Sequence, residues 1–207
     1  GGVVSPLLAN LYLDGLDKAV NGGKKMKAVM VRFADDLVVL CRKGQGEKMK
    51  QCLKQWLEHH RLKLNEEKTC IVDFTKESFE FLGFRLSWRK GRSGKYYPLT
   101  VPSPKSCNKI REVIRQETTR SSLRKDPEQI FKRVNQQVRG WTQYFHYRNS
   151  TKAMAKMERF VESRMRGWLW NKHARTRGKY TKHYNNETLH KHYGLIKLPL
   201  YAVWKYS

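Results

Sequence analysis

The stretch Val29-Met30-Val31-Arg32-Phe33-Ala34-Asp35-Asp36-Leu37-Val38-Val39-Leu40 decides how this chain is read. Two short, β-branched apolar runs flank Phe33-Ala34-Asp35-Asp36, the pattern of two strands joined by a tight hairpin. Flanking strands of this kind would hold two adjacent carboxylates at the tip, pointing away from the core. Such hard oxygen donors suit a divalent cation that takes one or two carboxylates plus substrate phosphates. Because the surrounding chain is strongly basic, a phosphate-rich partner fits the same picture. Together these features point to metal-dependent phosphoryl or nucleotidyl transfer on nucleic acid. Taken alone, an Asp-Asp turn has a plainer reading, since aspartate tolerates the backbone angles of turns.

The charge balance sharpens the partner. Lys and Arg number 43 against 18 Asp and Glu, a net +25 over 207 residues. Residues 1–100 carry +8 and residues 101–207 carry +17, so the excess lies in the second half. Such a chain binds polyanions with release of counterions. An anionic membrane surface is the competing partner. No apolar run approaches the roughly 18 residues of a membrane span, and no signal peptide opens the chain, so nucleic acid is favoured and a membrane role is not expected. Cys41, Cys52, Cys70 and Cys107 form no closely spaced pair, which argues against a zinc site or a disulfide framework. The composition reads as intracellular, with a cytoplasmic location in a bacterium or a place in an organelle.

Outward from the hairpin, Ser5-Pro6 reads as a helix cap followed by proline in the first turn. Leu7, Leu8, Leu11, Tyr12, Leu16 and Val20 then recur at helical spacing until Asn21-Gly22-Gly23. A second amphipathic helix is expected from about residue 46 to 60, burying Met49, Leu53, Trp56 and Leu57. Strands are expected at 70–74 and 79–86, which makes the first part an α+β sheet domain. Residues 91–104, rich in Gly and Pro, read as a hairpin turn leading into a linker. Helices follow, one marked by Ile110, Val113 and Ile114, and one beginning at Asp126-Pro127 with Ile130, Val134, Val138, Trp141 and Phe145 along one side. A third starts near Ser150-Thr151 and gathers Met154, Met157, Val161, Met165 and Trp168 on one face. Lys152, Lys156, Arg159 and Arg166 fall opposite, as a candidate nucleic-acid track or a merely solvated face. The chain beyond His173 reads as a poorly organised basic and aromatic tail until about residue 193, suited to stacking on unpaired bases.

Four ordered blocks carry a family resemblance. The run Gly1-Gly2-Val3-Val4-Ser5-Pro6-Leu7-Leu8-Ala9-Asn10-Leu11-Tyr12-Leu13-Asp14 and the Phe-Ala-Asp-Asp hairpin come first. Leu64-Asn65-Glu66-Glu67-Lys68-Thr69 and Phe79-Glu80-Phe81-Leu82-Gly83-Phe84 follow in order. Together they resemble the palm of bacterial reverse transcriptases. Further on, Val138-Arg139-Gly140-Trp141-Thr142-Gln143-Tyr144-Phe145 and the basic helix ending Arg166-Gly167-Trp168-Leu169 resemble the maturase-specific thumb of group II intron-encoded proteins.

The resemblance implies an α+β fold, a partial palm over 1–90 and a helical thumb over 105–178, with the tail over 179–207. It implies that Asp35 and Asp36 bind Mg2+, or Mn2+ in its place, in a two-metal site with ions about 3.5–4 Å apart. Phe33 stands where tyrosine is commoner and would pack beside the primer terminus. Lys68 would neutralise or protonate the leaving pyrophosphate; a surface lysine is the plainer alternative. Gly1, Gly2, Ser5 and Pro6 would border the incoming dNTP and template, and Phe81-Leu82-Gly83 would form the primer grip. Lys105, Lys109, Arg111, Arg139, Lys152, Lys156, Arg159 and Arg166 would contact RNA. The implied partners are group II intron RNA and an RNA/DNA template-primer.

In the family a further metal-binding aspartate and the fingers precede the Gly-Gly block, so they would lie before Gly1, in cis or on another chain. On this reading the chain alone is inactive or very weak as a polymerase. A non-polymerising, RNA-binding splicing factor and a truncated remnant without independent function are the alternatives.

Overall fold

In the computed structural model, residues 4–22, 27–173 and 184–198 are described. The chain forms two compact units, Gly1–Leu82 and Gly83–Ser207. Small antiparallel sheets and packed helices make the architecture α+β, as the sequence indicates.

The first unit opens with helix α1, Ser5–Asn21. Val4 already has helical-region angles, so the turn begins one residue early. Ser5 therefore lies inside the helix and makes no capping hydrogen bond, while Pro6 sits in the first turn as expected. The inward face is also displaced from expectation. Leu16 is buried and Leu13 and Val20 pack beside it, whereas Leu7, Leu8, Leu11 and Tyr12 are exposed. Periodicity found the stripe, but burial is confined to Leu13, Leu16 and Val20; Tyr12, though exposed, reaches the His60 carbonyl with its hydroxyl.

Strands β1 (Val29–Phe33) and β2 (Asp36–Leu40) form an antiparallel hairpin. Its register pairs Val29 with Leu40, Val31 with Val38 and Phe33 with Asp36. Successive side chains alternate between faces. Met30, Leu37 and Val39 accordingly pack with Leu16 and with helix α2, Gly46–His59. That helix buries Met49, Leu53 and Leu57 as expected. Trp56 is only half-buried, at the edge of this core, with its ring stacked on His60 at 3.7 Å between centroids.

Residues 70–74 do not form the expected strand. Asp73 Oδ1 accepts from the Thr75 hydroxyl at 2.6 Å and from its backbone N–H at 3.0 Å. The Asp73 carbonyl accepts from Lys76 N and Glu77 N. These local bonds wind the chain into a turn and compete with a sheet ladder. The same bonding holds the Asp73 carboxyl below its ordinary range, chiefly through the Thr75 hydroxyl. The expected strand over 79–86 is likewise interrupted: β3 (Phe79–Phe81) ends at Leu82-Gly83, both with positive φ, before β4 (Phe84–Lys90) begins.

In the second unit β4 pairs antiparallel with β5, Tyr96–Pro102. The turn between them falls where the sequence placed it, but residues 96–102 are strand where a linker was expected. Pro98 and Pro102 do not prevent this, because β5 is an edge strand, where a missing N–H can face away from the ladder. Ser103 then caps helix α3 (Pro104–Glu117), its hydroxyl accepting from Ser106 N at 3.1 Å. Helices α4 (Pro127–Phe145) and α5 (Thr151–Lys172) complete the unit. Ile114, Phe131, Val134, Met154, Met165 and Leu169 lie at its core with two percent exposure or less. All five apolar residues expected on the inner face of α5 are buried.

The described end of the chain is more organised than its composition suggests. A π-helical turn, Thr188–His192, lies within 184–198, and Leu189, Leu195 and Leu198 join the helical core. Tyr193 stacks on Phe131 at 4.9 Å. Residues 174–183 and 199–207 of the expected tail lie outside the described residues.

Candidate functional site

The carboxylate hairpin owes its shape to a two-residue connection, Ala34-Asp35, closed by the Phe33–Asp36 pair. Such short hairpins require a positive φ, and Ala34 supplies it at 54°. An L-residue with a Cβ pays for that conformation about 1–2 kcal/mol. Arg32 offsets the strain locally: its Nη1 donates to the Ala34 carbonyl at 3.0 Å and to Asn10 Oδ1 at 3.0 Å. The same guanidinium grips Asp17 from Nε and Nη2. Only 8% of the Arg32 side chain is exposed, against 32% for Asp17. Hydrogen bonding to Asp17 is the main reason the guanidinium is pushed further toward its charged form. Sequence reading passed over Arg32, yet it ties α1 to the turn.

Asp35 and Asp36 are both exposed at this turn. Phe33, 66% exposed, lies across from Asp36 in register, on the same face as Val31 and Val29. The carboxylates are thus presented beside an uncovered aromatic and aliphatic sheet face. Their oxygens are the right chemistry for Mg2+. Their number is insufficient for a full site, since among the described residues no third His, Cys, Asp or Glu gathers with them. Asp17 belongs to Arg32, and Asp14 pairs with Lys18 at 2.5 Å.

The other candidates of the first unit are scattered by role. Ser5 and Pro6 are exposed on the first turn of α1, and Gly1 and Gly2 lie outside the described residues. Lys68 is exposed in a turn fixed by Asn65, whose Oδ1 accepts from Lys68 N at 3.2 Å. No hydrogen bond or ion pair joins Lys68 to either carboxylate among the described residues. Phe81 and Leu82 are half-buried at the end of this unit. Gly83 opens the next, where it is required on two grounds. Its φ is +78°, and a Cβ there would meet Ser106 Oγ at 2.9 Å and the Phe145 ring at 3.1 Å.

In the second unit a basic surface forms where α3 meets α5. Arg111 and Arg115 both lie over the Phe160 ring, at 5.7 and 5.5 Å from its centroid. Burial pushes the Cys107 thiol up, while the nearby Arg111 and Lys156 charges pull the other way. This places Arg111 and Lys156 around one half-buried residue. Lys152 and Arg159 are exposed one turn to either side of Lys156, and Lys105 and Lys109 are exposed on α3. Arg115 and Phe160 were missed in the sequence, although Arg115 follows Arg111 by one helical turn.

Two of the expected RNA contacts are placed elsewhere. Arg166 is half-buried; its Nε donates to the Tyr184 carbonyl at 2.7 Å and its Nη2 to Asn186 Oδ1. It anchors the 184–186 segment, so its membership of a free basic face is corrected. Arg139 is exposed on α4, in a groove shared with Lys132 and residues 191–194. His190 is likewise structural: it bridges Glu162 Oε1 at 3.0 Å and the Leu195 carbonyl at 2.7 Å. Among the described residues no helix is long and apolar enough to cross a membrane.

Comparison with known proteins matches the chain to two family descriptions in series. Residues 1–86 match the model for reverse transcriptase (RNA-dependent DNA polymerase). Residues 107–186 match the group II intron, maturase-specific domain. Protein YkfC of Escherichia coli (strain K12) is 29% identical over a 142-residue alignment covering 52% of this chain and 37% of that protein. The chain thus spans well under half the length of this curated relative. The reverse transcriptase match spans the carboxylate hairpin and the maturase-specific match spans the basic helices, and this succession supports a group II intron reverse transcriptase/maturase.

Proposed function

We propose that the chain is the catalytic-hairpin and RNA-binding portion of an RNA-directed DNA polymerase that also assists splicing of its group II intron RNA. The observation that carries this reading is the order of parts: an Asp35-Asp36 hairpin, then a helical unit whose Arg111, Arg115, Lys156 and Arg159 remain on its surface. In this reading residues 1–82 serve as part of the palm and the helical unit as the thumb. Asp35 and Asp36 would be two of the Mg2+ ligands, and the bound ions would supply activation of the primer hydroxyl and stabilisation of the departing pyrophosphate. The remaining carboxylate comes from outside the described residues. Phe33 offers a flat apolar surface next to Asp36 for the primer terminus, and the Arg32–Asp17 fork keeps the turn from collapsing.

The incomplete carboxylate set favours a second reading, in which the chain binds and stabilises intron RNA without polymerising. Both readings require RNA affinity. Equilibrium binding of the purified chain to a folded group II intron RNA tests that common ground across a range of salt. The expected result is affinity falling linearly with log salt, by about 0.7–0.9 log units for each phosphate neutralised. Absent or salt-independent binding would contradict both.

A further inference from the structure

A groove of about 510 Å³ runs between α4 and residues 191–194, away from the Arg111–Phe160–Arg115 cluster in its lining. On the α4 side, Glu128, Lys132, Asn135, Gln136 and Arg139 follow at helical spacing and form one stripe. Lys191 and His192 line the other side, with Tyr193 stacked on Phe131 at the base.

What distinguishes the stripe is that its free cations line a groove: Lys105, Lys109, Lys152 and Lys156 also have no partner among the described residues, but none of them lines it. Elsewhere in the unit, Arg133 pairs with Glu117, Arg164 donates to the Thr118 hydroxyl and carbonyl, and Lys172 donates to the Leu123 and Lys125 carbonyls. Lys191 pairs with Glu187 at 2.7 Å. Lys132 and Arg139 have no ion-pair or hydrogen-bond partner among the described residues, and neither does the Gln136 amide between them. Glu128 stands one turn before Lys132, the usual spacing for a helix ion pair, yet the two are not paired. Asn135 does make bonds. Its Nδ2 donates to the Gly194 carbonyl at 2.8 Å and its Oδ1 accepts from Ile196 N at 3.1 Å, which fixes the far wall. The groove is therefore a walled channel with two unpartnered cations and a free amide.

We propose that this groove is a second RNA contact, which seats an unpaired segment with its phosphates on Lys132 and Arg139. The proposal rests on the RNA-binding reading above and adds where, and in what form, a second stretch of RNA is held. Seven residues at about 1.5 Å each set the two cations roughly 10 Å apart along α4, a span that two long, flexible side chains can close onto neighbouring or next-nearest phosphates of an extended strand. Gln136 lies between them with a donor and an acceptor for a base edge. A channel bordered by cations, an amide and aromatic side chains suits splayed-out single strands, which is how RNA is most often read by sequence. Charge alone would serve a duplex equally, and the test separates the two.

The test compares the full chain with its Lys132→Ala/Arg139→Ala variant by fluorescence anisotropy. The probes are a 12-nucleotide oligouridylate and a 12-base-pair RNA duplex across a salt series. Both side chains are exposed and unpartnered, so thermal unfolding should be unchanged; the Lys132→Gln/Arg139→Gln variant provides a second check that keeps side-chain bulk. The expected result is that the log–log salt slope for the single strand falls by about 1.4, two phosphates at ~0.7 each. Duplex binding should stay near the wild-type value. A Lys156→Ala/Arg159→Ala variant should lower the slope separately, and its effect should add to that of the groove variant. An unchanged slope in both groove variants, with the wild type binding normally, overturns the groove proposal alone. An equal loss on duplex and single strand overturns its assignment to unpaired RNA. If the wild type binds neither probe, the RNA-binding reading beneath it falls as well.

Discussion

Arg32 and Asp17 form a two-pronged ion pair directly behind the carboxylate turn, with Nε 3.0 Å from Oδ1 and Nη2 2.5 Å from Oδ2 of the aspartate. Charge-assisted forks of this kind fix orientation as well as adding energy. The pair connects the fourth turn of α1 to the residue preceding Phe33, so helix and hairpin tip hold a common register. Replacing Asp17 with Ala leaves a largely buried guanidinium without its partner. Loss of one member of a buried pair costs about 3–5 kcal/mol. Asp17 is partly exposed, so the effect should be nearer 2 kcal/mol by the same reasoning. Urea denaturation followed by tryptophan fluorescence checks this; Trp56 lies on α2 of the same unit.

Ala34 makes a separate prediction about strain in the turn. A β-branched residue is worse tolerated at positive φ than alanine, so Ala34→Val should destabilise the first unit by about 1 kcal/mol or more. Ala34→Gly relieves the conformational cost and raises unfolded-state entropy, with opposing effects of similar size. It should therefore leave stability close to wild type. The comparison is made by thermal unfolding of the three proteins side by side.

Arg166 separates a structural role from a nucleic-acid one. Arg166→Ala should expose the 184–186 segment, seen as faster hydrogen exchange over 184–198 and earlier proteolytic cutting there. Its salt slope for RNA binding should remain close to wild type. Arg159→Ala should give the reverse pattern, with unchanged exchange and a smaller slope, by ~0.7–0.9 for one phosphate.

The helical unit also contains an internal hydrogen bond whose removal is easy to read. Trp168 Nε1 donates to Ser122 Oγ at 2.8 Å, and both residues are buried. Ser122→Ala would strand the indole N–H, a loss of about 1–3 kcal/mol. Chemical denaturation should show that drop, and near-ultraviolet circular dichroism should report the altered Trp168 environment.

Cysteine chemistry gives a pH-dependent check on the α3–α5 packing. Burial raises the Cys107 thiol above its ordinary range, so its reactive thiolate becomes abundant only at higher pH than usual. Cys70 is exposed. Iodoacetamide at pH 8 should modify Cys70 well before Cys107, as followed by peptide mass spectrometry, and the gap should narrow as pH rises.

Much of this was legible in the sequence where a repeat of side chains matched a repeat of backbone. The apolar runs around Phe33-Ala34-Asp35-Asp36 could only pair as a hairpin, and the five-residue apolar stripe of α5 was wide enough to define its buried side. Periodicity was less informative for α1, because it reveals an apolar stripe without saying how much of it finds a neighbour; Leu7, Leu8 and Leu11 are exposed while Leu16 is buried. The lost strand at 70–74 turned on one side chain, Asp73, whose local hydrogen bonds outcompeted a β-prone run. Arg166 followed the basic stripe by spacing, but its partners lie 18 and 20 residues later, beyond any helical repeat. Leu189 stands alone among polar residues and announces nothing, whereas Leu195 and Leu198 lie in an apolar run beginning near residue 193, where the sequence already ends the poorly organised tail. Of the candidate site, the carboxylate pair was readable from the chain, while Arg32 behind it and the Lys132–Arg139 groove required three dimensions.

The most direct test of the polymerase reading is RNA-templated DNA synthesis with Mg2+. The chain is supplied with the family's preceding reverse transcriptase segment, in cis or as a second chain, and primer extension is compared between wild type and Asp35→Ala. The account predicts extension by the wild-type assembly and its loss by several orders of magnitude in Asp35→Ala, with RNA binding retained. Full extension by Asp35→Ala would contradict the role assigned to the hairpin.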